Sequence, residues 1–143
     1  QWYAQLQQYA IQYPALEYRL ILPESGDICG PQSLSSISDP CCYQSSNVQF
    51  AGLNFRRYAS QIDEFPDQHF DVVIVDGRAR PSCLMHSVAK VKVGGLLVLD
   101  NADRDYYLER VPPLLDSFTL HRFRGIAPGS LVYAQTNIYV RQS

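Results

Sequence analysis

Apolar residues recur along this chain in two rhythms, one of three to four residues and one of two. Trp2, Leu6, Tyr9, Ala10 and Tyr13 share one face at helical spacing, so residues 2–13 predict a helix, which Pro14 stops. Leu16 to Leu22 is an apolar-rich run and predicts a strand. From Pro23 to Gly52 the rhythm gives way to Ser, Gly and Pro, so residues 23–52 predict a loop insertion, a lid or a partly disordered segment. Phe55, Tyr58, Ile62 and Phe65 restore helical spacing as far as Pro66.

The clearest pattern spans Phe70 to Asp103. Val72 to Val75 is a continuous β-branched run, which suits a strand covered on both faces in a parallel sheet. Pro81 suits the first turn of a helix, with Leu84, Val88 and Val91 as its buried stripe and Gly94-Gly95 as its end. Leu96 to Leu99 is a second apolar strand. Strand, helix, strand over this distance predicts a βαβ unit with parallel strands and a right-handed crossover. Asp103 is placed to cap a short helix through Arg110, after which Pro112-Pro113 intervenes and Leu114, Leu115 and Phe118 form an apolar patch. Thr119–Gly125 and Leu131–Arg141, joined around Pro128-Gly129, predict a closing hairpin in which Thr136, Ile138 and Val140 face away from Asn137, Tyr139 and Arg141. The fold class is α/β.

Composition narrows the classes of function. The chain has 143 residues, 46% of them hydrophobic, enough for the core of one domain. Twelve basic residues against fourteen acidic ones leave a net charge of -2 and no basic stripe, which excludes electrostatic binding of nucleic acid or a membrane surface. No apolar run approaches the ~20 residues of a bilayer span. Residues 1–20 lack a signal-peptide pattern, so a cytoplasmic location is expected. Cys29, Cys41, Cys42 and Cys83 lack zinc spacing and read as free thiols of a reducing compartment. Of the scattered histidines His69, His86 and His121, His86 reads as a surface or packing residue rather than a base.

Ligands of open parallel sheets bind beyond the carboxyl ends of the strands. Asp76 ends the first central strand, and Asp100-Asn101 ends the second. Their oxygens could hold a hard divalent cation, favour a cationic cofactor, or cap the turns that follow. Arg78 and Arg80 flank the same opening, where guanidinium groups either clamp a carboxylate or phosphate or pair with nearby acids. Tyr106 and Tyr107 either wall a pocket or pack the sheet edge.

FDVVIVDG at 70–77, a helix, and KVKVGGLLVLDN at 90–101 resemble the fourth and fifth strands of class I S-adenosylmethionine-dependent methyltransferases. That family's pattern is FDxVxxDG followed by LKPGGxLxxDN, and Val93 stands here for the usual proline. The opening helix resembles the one after the family's second strand, and the closing hairpin resembles its sixth and seventh strands. The resemblance implies a Rossmann-like parallel sheet with a C-terminal antiparallel hairpin, in the order third, second, first, fourth, fifth, seventh, sixth. The family's glycine-rich loop and ribose-binding acid have no counterpart, so the chain reads as the C-terminal portion of such a domain, with Val72–Val75 as an open edge.

The implied activity is methyl transfer from S-adenosylmethionine to a small-molecule acceptor, at oxygen. Tyr58, Ala59, Asp76 and Gly77 would face the cofactor. Asp76, Asp100 and Asn101 would shape the catalytic site, and Arg78, Arg80 and Arg104 would bind an anionic substrate. Family members that methylate catechol hydroxyls hold a divalent metal at the positions of Asp76, Asp100 and Asn101, so a metal there is an alternative. Relatives that transfer aminopropyl groups carry acids where this chain has Arg78 and Arg80. A reading of another class is a non-catalytic interaction module of the same fold, self-associating through its exposed strand edge.

Overall fold

A computed structural model describes residues 2–127 and 132–143; the expected Pro128-Gly129 turn lies outside the described residues. Helix α1 (Trp2–Gln12) forms as its spacing predicts, but Tyr9, Ile11 and Tyr13 on it and after it remain exposed. Residues 16–22 are not a strand. Leu16, Leu20 and Leu22 find no sheet edge to join and stay exposed, and Arg19 ties the segment to Glu64 instead. The only pairing nearby among the described residues is β1 (Glu24–Ser25) antiparallel to β2 (Leu53–Asn54).

Residues 23–52 are more structured than their composition predicts. Helix α2 (Leu34–Ser38) starts in a capping box between Ser33 and Ser36, and a single 3-10 turn follows at Pro40–Cys42 with Asp39 as its cap. Buried polar groups replace apolar ones here: Ser36 Oγ donates to Gln44 Oε1 at 2.6 Å, and Gln44 Nε2 donates to the Gly30 carbonyl at 2.7 Å. A disulfide joins Cys29 to Cys42 with Cα atoms 5.3 Å apart, which overturns the expectation of four free thiols. Cys41 and Cys83 are free.

The helical rhythm after Asn54 yields α3 (Arg56–Ala59) and a 3-10 turn at Ser60–Glu64. Strand β3 (Phe70–Val75), helix α4 (Arg80–Ser87) and strand β4 (Val91–Leu99) then form the predicted βαβ unit, with β3 and β4 parallel and Val75 level with Leu99. The helix ends earlier than expected, and Val91 and Gly94-Gly95 belong to β4. Between the pairs Phe70–Val91 and Val72–Leu96 the two strands fall out of step. Gly94 takes a φ of +78° there, and a Cβ on Gly95 would lie 2.8 Å from the Asp71 carbonyl oxygen.

Strands β5 (Phe118–Ile126) and β6 (Tyr133–Arg141) form the closing hairpin, and β6 pairs antiparallel with β4. The result is an open mixed sheet in the order β3-β4-β6-β5, which agrees with the order implied for these four strands. One face carries the core: Val75, Leu97, Leu99 and Tyr139 pack with Leu84 of α4 and with Val111 and Leu115 from the segment after β4. Each such large side chain contributes about 1.5–3 kcal/mol through burial. No described element covers the other face. Val72 and Ile74 are 48% and 67% exposed there, so β3 is covered on one face and not on two. The expected helix over Asp103–Arg110 shrinks to a 3-10 turn at Asp105–Tyr107, and Asp103 caps nothing; its Oδ1 accepts the Gln135 N–H at 3.1 Å. No helix among the described residues is long and apolar enough to cross a membrane.

Candidate functional site

The parallel pairing of β3 and β4 sets Asp76 and Asp100 one position beyond Val75 and Leu99, on the same rim of the sheet. Both strand ends turn through the left-handed region, at Ala79 (φ 46°) and Asn101 (φ 49°). Asparagine tolerates that conformation by bonding locally, whereas alanine needs its surroundings to impose it. The turn at Ala79 opens α4 with Arg80, which is only 4% exposed. Its Nη2 donates to Asp76 Oδ1 and its Nη1 to Asn101 Oδ1, both at 2.9 Å. Its Nε is buried without a partner among the described residues. The guanidinium fork thus ties the two strand ends together, a geometry that suits arginine and not lysine.

Behind this clamp lies Tyr107, which is also buried. Arg80 and Arg104 stand over its ring, at 5.3 and 5.8 Å from the centroid. Arg104 Nη1 donates to the phenol oxygen at 3.1 Å, and Ser46 Oγ lies 3.0 Å from it. Burial opposes ionisation of this phenol. The Ser46 and Arg104 hydrogen bonds, with the charges of Arg80 and Arg104, outweigh that and hold Tyr107 below the usual tyrosine range. Arg78 is exposed and rests over the Phe50 ring at 5.6 Å.

Asp76 and Asp100 share a rim but open onto different clefts. Tyr58, Ala59, Asp76 and Gly77 line one cleft of about 230 Å³ beside the free edge of β3. A Cβ on Gly77 would sit 2.2 Å from the Tyr58 hydroxyl, so any other residue drives that phenol out. Burial raises the Tyr58 pKa. Asp100 and Asn101 line a second cleft of about 420 Å³ with Phe123, Ile126 and Thr136. Thr136 Oγ1 donates to Asp100 Oδ1 at 2.7 Å.

One oxygen of each group expected to offer a divalent metal is therefore already engaged. A guanidinium cation is bonded to Asp76 and Asn101, and Asp100 is held by Thr136. No three His, Cys, Asp or Glu residues gather among the described residues. With Asp76 and Asp100 opening onto different clefts and a guanidinium bonded to Asp76 and Asn101, this donor set does not converge on one metal as it stands. Arg80, expected to meet an anionic substrate, is buried against the strand ends, whereas Arg78 and Arg104 are exposed.

Sequence reasoning passed over several partners. Ser46 lies in a segment without periodicity, and Thr136 appears only as a member of an alternating strand. His86 is more than a packing residue: Nδ1 lies 2.7 Å from Asp63 Oδ2, and Nε2 lies 3.2 Å from the Tyr43 hydroxyl. This Asp–His–Tyr chain joins the Ser60–Glu64 turn, α4 and the end of the Pro40–Cys42 turn. Burial raises the Tyr43 pKa, so this phenol stays protonated at neutral pH. No family model matches the chain, and no curated protein or solved structure gives a significant match.

Proposed function

We propose that this chain contributes residues to an S-adenosylmethionine-dependent methyltransferase site that methylates an oxygen of a small anionic acceptor. The observation that carries this reading is that Tyr58, Ala59, Asp76 and Gly77, the residues the resemblance assigns to the cofactor, line one cleft. The strand order adds support. At about 230 Å³ the cleft is below the usual ~300–1,000 Å³ of ligand pockets, so it fits part of such a cofactor, bounded on the β3 side by a free edge.

When bound, the cofactor supplies an electrophilic methyl group on a positively charged sulfur. The chain's own part is placement. Asp76 presents a carboxylate to that positive charge, and Arg80 fixes its direction. Arg80 thus acts through Asp76 and Asn101, while exposed Arg78 and Arg104 meet the negative charge of the acceptor. Alignment of acceptor oxygen and methyl group accounts for the acceleration.

The chain carries no glycine-rich cofactor loop, so its own affinity is weak, with Kd above ~1 mM, and it turns over no substrate alone. Titration of the 15N-labelled chain with S-adenosylmethionine should shift the Tyr58–Ala59 and Asp76–Gly77 amides without saturating, and Asp76→Ala should abolish the shifts at Gly77. Shifts centred elsewhere, none at all, or micromolar affinity would overturn the reading.

The free edge of β3 and the bare face beside it favour a second reading, an interaction module of this fold that pairs with another chain or a second copy. The expected cytoplasmic location conflicts with the Cys29–Cys42 bond, which belongs to surroundings that do not reduce it.

A further inference from the structure

The β5 edge of the sheet carries a cavity that the strand-end site does not use. Its volume is about 300 Å³, and Leu108, Leu115, Phe118 and Leu120 form apolar walls. The pairings Leu120–Tyr139 and Arg122–Asn137 put Leu120, Arg122 and Tyr139 on the core-bearing face of the sheet. Among the described residues, Arg122 and Tyr139 are the only polar side chains that line the cavity. Asn137 Nδ2 donates to the Tyr139 oxygen at 3.0 Å, which leaves the phenol hydrogen free to donate. Arg122 makes no ion pair and no side-chain hydrogen bond among the described residues. Arg80 of α4 and Arg141 of β6, by contrast, are bonded to a carboxylate, an amide or backbone carbonyls, and Arg124, also on β5, does not line this cavity.

We propose that this cavity binds a small amphipathic carboxylic acid, with its apolar tail against Leu108, Leu115, Phe118 and Leu120 and its carboxylate on Arg122. The chemistry of the lining selects this class. A neutral apolar molecule would make no use of Arg122, which is exposed, and a small anion without a tail would leave the walls wet. The carboxylate matches the guanidinium fork and also accepts the Tyr139 hydroxyl hydrogen. The cavity sits at the lower end of the ~300–1,000 Å³ typical of ligand pockets, which suits a short alkyl or aryl tail and not a peptide. None of these residues belongs to the strand-end site, so the proposal stands or falls separately from the methyltransferase reading.

Octanoate, hexanoate and 1-octanol, titrated against the intact chain by calorimetry and methyl NMR, test this. Octanoate should bind roughly tenfold more tightly than 1-octanol, because one partner of the contact is a paired charge. Hexanoate should bind roughly fifteenfold more weakly than octanoate, at about fourfold per methylene. Methyl shifts should fall on Leu108, Leu115 and Leu120. Arg122→Gln, at an exposed position, should leave folding intact and bring octanoate down to the level of 1-octanol. Equal binding of octanoate and 1-octanol, no effect of Arg122→Gln, or shifts centred on Ile74 and Val98 of the opposite face would each overturn the proposal.

Discussion

Arg80 and Tyr107 together show how single side chains organise the strand ends. One guanidinium satisfies Asp76 and Asn101, and the phenol behind it collects Ser46, Arg104 and two positive charges. Tyr107→Phe removes both hydrogen bonds and should lower stability by about 1–2 kcal/mol in urea unfolding. Its alkaline behaviour gives a second readout. Tyr107 is held below its unfolded value of ~10, so its ionisation favours the folded state as pH rises towards that value. Tyr43, Tyr58 and Tyr139 are raised, so the unfolded chain releases those protons first and stability falls above pH ~10. Ultraviolet titration should show one early phenol, and Tyr107→Phe should erase it; an unchanged early phase would assign it elsewhere. Asp76, Arg80 and Asn101 were legible as a polar cluster, because each follows a recognisable strand or opens the helix after it. Their mutual bonds were not, because they depend on a register that no single segment encodes. Ser46 meets Tyr107 across sixty-one positions, and nothing local marks that contact.

Among the elements, those with strong periodicity were legible: β3 and the hairpin lie where apolar spacing places them, whereas the crossover helix stops short of Val91, which with Gly94-Gly95 goes to a longer β4. Leu16–Leu22 misled because apolar content makes a strand only where a sheet edge accepts it. The 23–52 segment misled in the other direction, since it is held by caps, buried amides and a disulfide that leave no periodic trace. Replacing Cys29 and Cys42 together by Ser should cost about 3 kcal/mol, from the freedom regained by a ring with a separation of 13 residues, measured by urea unfolding. Without reductant, iodoacetamide at pH 8 should label exposed Cys41 and spare Cys83, whose burial pushes its thiol up to about 12. Rapid labelling at three or more sites would contradict the bridge.

On the scale of the whole molecule, the chain exposes 8877 Å² where a monomer of its 16.2 kDa is expected to expose ~7,500 Å². Val72 and Ile74 lie on the uncovered face, next to the unpaired hydrogen-bonding groups of β3. Sedimentation at rising concentration should therefore show self-association, and Ile74→Lys should weaken it by placing a charge at that edge. A strictly monomeric chain at ~1 mM would remove pairing with a second copy. The bare face also has a calorimetric consequence. Apolar surface that is already hydrated in the native state adds nothing to the heat capacity gained on melting, nor to the slope of denaturant unfolding. The free chain therefore unfolds along a shallower curve than its length implies, and whatever comes to shelter that face will steepen the curve as it binds.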